Sequence, residues 1–126
     1  MRRKLITTYM FINLKHKQLE VYKLIRELVK ETYSISLKLP ADEKFNMVQQ
    51  IRRASLSIKL NLSEGSTRKS SIERNRYLEI ARGSVVEIDA ALETAVDLNY
   101  FDTSDLKLIG TLLNSCFAML SKMIKN

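Results

Sequence analysis

The sequence predicts an all-α protein, an up-down-up-down bundle of four helices, and three observations carry that prediction. The 126 residues contain only three Gly, one Pro and no Trp, too few turn-formers for an all-β chain that must reverse about every 8–12 residues. Apolar residues recur at three- and four-residue steps along four long segments. Short stretches punctuated by Pro40, Gly65 and Asn99-Tyr100-Phe101 separate those segments, so each helix must reverse on its predecessor. The length suits one domain, and 45% apolar with 28% charged residues suits a globular one. Residues 1–12 read as an N-terminal extension expected to be poorly ordered, and 13–126 as the bundle.

Helix one runs from Leu14 to Leu39, with Val21, Tyr22, Ile25, Leu28, Val29, Thr32 and Ser36 as its inward face. Pro40 ends it, because the residue before a proline is pushed out of helical geometry. Asp42 and Glu43 supply negative charge where helix two begins. Helix two spans about Glu43 to Glu64, with Met47, Ile51, Ala54, Ile58 and Leu62 inward and Gly65 as its stop. Ser70 and Glu73 have capping-box spacing at the start of helix three. That helix continues to about Leu98 and buries Leu78, Ala81, Ser84, Val85, Ile88, Ala91, Leu92 and Ala95. Thr103 or Ser104 caps helix four, whose stripe is Leu106, Ile109, Leu113, Cys116, Phe117, Leu120 and Ile124.

Two helices carry apolar residues outside their main stripe. Phe45, Leu56 and Leu60 oppose Ile58 on helix two, and Leu108, Leu112 and Met119 lie off the stripe of helix four. A helix apolar on two faces touches two partners, so Phe45, Leu56 and Leu60 are the expected oligomer interface.

The net charge of +7 is unevenly spread. Residues 44–76 hold eight Lys and Arg (Lys44, Arg52, Arg53, Lys59, Arg68, Lys69, Arg74 and Arg76) against Glu64 and Glu73, whereas residues 77–126 are net negative. Such a block suits a polyanion, since each neutralised phosphate releases counterions; the other reading is a solvated face. Arg68, Lys69, Arg74 and Arg76 surround the turn between helices two and three and are expected to be exposed, the better site for phosphate contact. Arg52 and Arg53 are successive on a helix, so both cannot face the core; each either meets phosphate or pairs with Glu64, Glu79 or Glu87. Gly83-Ser84 reads as a close helix contact, and Tyr77 as a packing residue or a base-stacking one.

Composition excludes several chemistries. One Cys and one His make neither an internal disulfide nor a Cys/His zinc site, and no Gly-rich phosphate loop occurs. A nucleophilic triad would have to recruit His16, with no nucleophile elbow in sight. No catalytic residue, metal or cofactor is therefore expected, and Cys116 reads as a small core residue. The N-terminal run Leu5-Ile6-Thr7-Thr8-Tyr9-Met10-Phe11-Ile12 lacks a signal-peptide cleavage site. No stretch approaches the ~18 apolar residues of a membrane span, so a cytoplasmic protein without a membrane partner is expected.

The segment from Gln49 to Gly65 resembles the bacterial four-helix-bundle proteins encoded within intervening sequences of 23S rRNA genes. Its carriers are Gln50-Ile51-Arg52-Arg53-Ala54, Ser57-Ile58, and Asn61-Leu62-Ser63-Glu64-Gly65, followed by Arg68 and Ser70. Leu19-Glu20-Val21-Tyr22, Leu39-Pro40 with Glu43, Leu78-Glu79-Ile80-Ala81-Arg82-Gly83-Ser84 and Glu87-Ile88 extend the resemblance over about residues 13–101. Tyr22 stands where tryptophan is common, Asn46 where glycine is frequent and Lys59 where proline often falls, which should leave helix two less kinked. The resemblance implies a ring-like homo-oligomer, typically a pentamer, linked to RNA and without catalytic residues. The chain is also similar to accessory proteins of diversity-generating retroelements, which bind a reverse transcriptase and nucleic acid. Two functions are thus expected: an oligomer binding structured RNA or DNA through Arg52, Arg53, Lys59, Arg68, Lys69, Arg74 and Arg76, or an adaptor holding a protein such as a reverse transcriptase.

Overall fold

The computed structural model describes residues 11–124, and among them every regular element is helical. Four α-helices follow in order: α1 (Glu20–Ser36), α2 (Met47–Ser66), α3 (Ser71–Asp97) and α4 (Lys107–Met123). Single 3-10 turns at Lys15–Gln18, Ala41–Glu43 and Thr103–Leu106 precede α1, α2 and α4. Most of the expected N-terminal extension, residues 1–10, lies outside the described residues; Phe11 and Ile12 are exposed.

Each helix runs antiparallel to the next. Ser36 at the end of α1 bonds Arg52 near the start of α2, and His16 ahead of α1 bonds Ser63 near the end of α2. Gln50 reaches Glu87 from α2 to α3, and Arg82 early in α3 reaches Ser121 late in α4. α4 packs back on α1 and closes an up-down-up-down bundle. Its core is the apolar stripes of all four helices, with Ile25, Leu28, Ile51, Ile58, Leu62, Ile88, Ile109 and Leu120 fully buried. Each such side chain contributes roughly 1.5–3 kcal/mol relative to exposure. Two buried hydroxyls turn onto their own helices: Thr32 Oγ1 donates to Leu28 O at 2.7 Å and Ser55 Oγ to Arg52 O at 2.9 Å.

Helices α2 and α3 share the most extensive contact of any pair. Ala54, Ser55, Ala81 and Ser84 are small and buried, and Ser84 Oγ meets Ser57 Oγ across the pair at 3.0 Å. Ser84 therefore makes the expected close contact, but Gly83 does not: it is exposed, and nothing lies within 4 Å of a Cβ built on it.

Other boundaries and faces differ from the expectations. Leu19, extended at φ −69° and ψ 141°, separates the turn at Lys15–Gln18 from α1, so the first helix is shorter and His16 turns inward against the Tyr22 ring. α2 starts at Met47 because Asn46 leaves helical geometry at φ −130° and ψ −94°. Phe45 therefore precedes α2 rather than sharing its outer stripe. Gly65 lies inside α2, and no glycine among the described residues has a positive φ; its role is close packing, not a left-handed stop. Ser70 Oγ caps α3 by accepting from Glu73 N–H at 3.0 Å. The fourth helix is entered from Asp102, whose N–H donates to Asp105 Oδ2 at 2.9 Å, instead of from Thr103 or Ser104. On α4, Leu112 joins the core while Phe117 turns outward, 43% exposed. Lys59 leaves α2 unbroken, as expected from the missing proline.

Candidate nucleic-acid interface

The four cations about the α2–α3 turn do not form one exposed cluster. Arg68 folds back: its Nη2 donates to Tyr77 Oη at 2.8 Å and to Glu64 Oε2 at 3.0 Å, with the guanidinium 5.0 Å from the Tyr77 ring centre. Arg74 Nη1 donates to the carbonyls of Arg68 at 2.9 Å and Lys69 at 2.7 Å, closing the turn from below. Both are half-buried, and only Lys69 and Arg76 are exposed as expected. The physical reason is local: Arg68 finds the Glu64 carboxylate one turn back and the Tyr77 hydroxyl on α3, while Arg74 supplies the donors for two carbonyls of the turn that follows α2.

The α2 cations diverge. Arg53 faces outward, one turn before exposed Leu56 and two before exposed Leu60. Arg52 and Lys59 instead face α1. Arg52 Nε donates to Ser36 Oγ at 2.7 Å, and its guanidinium lies 4.8 Å from the centre of the Tyr33 ring. Ser36 Oγ in turn donates to Tyr33 O at 2.7 Å. Neither arginine pairs with Glu64, Glu79 or Glu87; Glu64 takes Arg68 and Glu87 takes Gln50. Asn61 Nδ2 likewise donates within its own helix, to Ser57 O at 2.8 Å. Lys59 Nζ sits 5.8 Å from the Tyr22 ring centre.

The seam between α1 and α2 is thus a row in which α2 cations cover α1 tyrosines. Arg26, one helical turn after Tyr22, and Lys17 join Lys59 and Tyr22 around one cleft. The ion pairs found among the described residues are Lys30 with Glu27 and Arg68 with Glu64, so Lys17, Arg26, Arg52 and Lys59 have no carboxylate partner there. The groove on the opposite side of the bundle, between α3 and α4, is lined by Asp89, Glu93 and Asp97 with Leu92, Val96 and Ile109. The two grooves therefore differ in charge, the α1–α2 cleft lined by cations and the α3–α4 groove by carboxylates. Sequence reading missed Lys17, Arg26 and Tyr33; the available signal was Tyr22 and Arg26 at i and i+4, which share a helix face.

The remaining reactive groups are structural in their surroundings. His16 Nε2 is 3.2 Å from Ser63 Oγ, and burial, helped by the charge of Lys17, holds its pKa below the usual histidine value. Cys116 is fully buried, and desolvation pushes its thiol up to about 11, so little thiolate exists at neutral pH. No group of three or more His, Cys, Asp or Glu among the described residues is placed to hold a metal ion. No described helix is long and apolar enough to cross a membrane.

The family model of the 23S rRNA-intervening sequence proteins matches residues 17–122 of the chain. Among solved structures, a protein of unknown function from the S23 ribosomal protein family of Bacteroides thetaiotaomicron VPI-5482 has the same fold. It superposes with a TM-score of 0.76 at 22% identity, covering 84% of this chain and 99% of its own. No curated protein matches the sequence.

Proposed function

The chain belongs to the 23S rRNA-intervening sequence protein family, and from that premise we propose that it is a non-enzymatic, oligomeric bundle that binds structured RNA along the α1–α2 seam. The observation carrying this reading is the set Arg26, Arg52 and Lys59, aligned on one seam without a carboxylate partner among the described residues. Arg52 is held rigid through Nε and the Tyr33 ring, so its terminal nitrogens are pre-positioned to donate to phosphate oxygens. Arg53, Lys69 and Arg76 add exposed charge nearby in the chain, while Arg68 and Arg74 shape the turn. In a ring-like homo-oligomer, a pentamer being the expected form, the seam repeats and weak contacts sum by avidity.

The test is binding of a stem-loop RNA with 5′-hydroxyl ends across a salt series, comparing wild type with Arg26→Gln/Arg52→Gln/Lys59→Gln. Wild type should bind with a steep salt dependence, and the variant should lose affinity and flatten the slope by about one per cation removed. Equal binding by the two proteins, with equal slopes, would remove the seam from the account.

The outward face of α2 favours a second role. Leu56 is 39% and Leu60 61% exposed, Arg53 is exposed one turn before them, and Phe45 just before the helix is 78% exposed. These residues are the proposed contact with another copy of the chain or, as an adaptor, with a protein such as a reverse transcriptase. Leu56→Gln/Leu60→Gln should lower the native mass without unfolding the bundle; an unchanged mass would leave this face to the adaptor reading alone, which co-purification with the enzyme then tests.

A further inference from the structure

At one end of the α1–α2 seam lies a cleft of about 450 Å³ walled by Phe11, Asn13, Lys17, Tyr22, Arg26 and Lys59, and no Asp or Glu lines it. We propose that this cleft receives a phosphate monoester carried on a nucleoside, either the 5′-phosphorylated end of an RNA strand or a free nucleoside 5′-monophosphate; the strand-end form rests on the RNA-binding reading above.

Charge distinguishes an end from the middle of a strand. A monoester carries about −1.5 to −2 at neutral pH and three terminal oxygens, whereas each internal diester carries a single charge. Three cations lining one open cleft match the monoester better than the evenly spaced diesters of a duplex backbone. Each cation retains donors for it. The Lys17 ammonium donates to Ile12 O, which holds it at the rim and leaves two of its three N–H groups. Lys59 is held over the Tyr22 ring, and the Arg26 guanidinium has no partner among the described residues.

The rest of the nucleotide also has a place. The volume falls in the range of small-molecule pockets, about 300–1,000 Å³. Phe11 is 63% exposed at the mouth, a free aromatic face on which a base can stack. The residues preceding Phe11 include Arg2, Arg3 and Lys4, a charge that is not complementary to a cationic cleft and so argues for an anion from outside.

The experiment measures binding of the full chain to one short single-stranded RNA prepared with a 5′-phosphate or a 5′-hydroxyl, and to adenosine 5′-monophosphate. The phosphate should raise RNA affinity roughly tenfold, about 1.4 kcal/mol. Arg26→Gln, an exposed change, should erase most of that ratio while thermal unfolding stays unchanged, and Lys59→Gln, at a half-buried position over the Tyr22 ring, should erase it as well. Equal affinity for the two RNA ends, with no binding of the mononucleotide, would overturn the proposal and leave general RNA binding intact. Binding of the mononucleotide alone would keep the pocket and overturn the RNA reading. Binding of none of the three would overturn both.

Discussion

A Cβ placed on Gly65 would lie 2.7 Å from Tyr77 Cβ, so the last turn of α2 and the second turn of α3 meet with no room for a methyl group between them. The obstacle is the root of the tyrosine side chain, which cannot swing away without moving the α3 backbone. Gly65→Ala is expected to cost about 1–3 kcal/mol by overpacking, read as a lower urea midpoint. A wild-type midpoint would mean that α3 yields freely at its N-terminus.

That junction also sets the fate of the nearby arginines. Arg68 packs on Tyr77 and Arg74 holds the turn carbonyls, whereas Lys69 and Arg76 are exposed. Arg68→Ala/Arg74→Ala should lower the melting temperature, and Lys69→Ala/Arg76→Ala should leave it unchanged while weakening RNA binding at low salt. Equal melting temperatures for the two double variants would contradict the structural role of Arg68 and Arg74.

Asn99 closes the C-terminus of α3 in a left-handed conformation at φ 63°. Its N–H donates to Val96 O and that of Tyr100 to Ala95 O, both at 2.9 Å, the paired bonds of a Schellman motif. Asn99→Ala should cost about 1 kcal/mol, since a Cβ disfavours this geometry without the asparagine's local bonding. Asn99→Gly should be neutral or stabilising. Thermal denaturation of the pair checks the prediction, and an alanine variant as stable as glycine would refute it.

The same motif delivers Tyr100 to Glu43, whose Oε2 accepts from the Tyr100 hydroxyl at 2.7 Å while Oε1 accepts from Asn46 and Met47. The Tyr100 bond, first, and those from Asn46 and Met47 hold Glu43 below the usual carboxylate range. A carboxyl group depressed in the folded state stabilises above its unfolded pKa, and that contribution disappears as pH falls through the folded one. Tyr100 is raised by the same bond, so its contribution holds below the ordinary tyrosine pKa and is lost as pH rises through the folded value. Tyr100→Phe should therefore melt below wild type at neutral pH and converge on it in acid. A difference independent of pH across the acid limb would show that the carboxylate is not involved.

Much of the bundle was legible from periodicity alone. The inward stripe of α2, Met47, Ile51, Ala54, Ile58 and Leu62, is buried throughout, because a 3.6-residue repeat leaves a helix only one way to hide its apolar side chains. The Ser70 cap and the packing role of Cys116 were equally local, needing a few residues of context. Exposure of Leu56 and Leu60 followed from the same angular arithmetic.

The candidate site was less legible, because charge counted along a chain does not say which direction each side chain takes. Residues 44–76 hold the basic block in sequence, yet helix rotation sends Arg52 and Lys59 toward α1, Arg53 outward, and Arg68 and Arg74 into their own turn. The partners that make the seam cationic come from outside that block, Lys17 from the 3-10 turn before α1 and Arg26 from α1 itself. By itself the sequence determined four amphipathic helices and their order, since these depend on spacing within single segments. Only the tertiary structure decided which cations share a surface and which find internal acceptors, since that depends on how helices distant in sequence are rotated against one another.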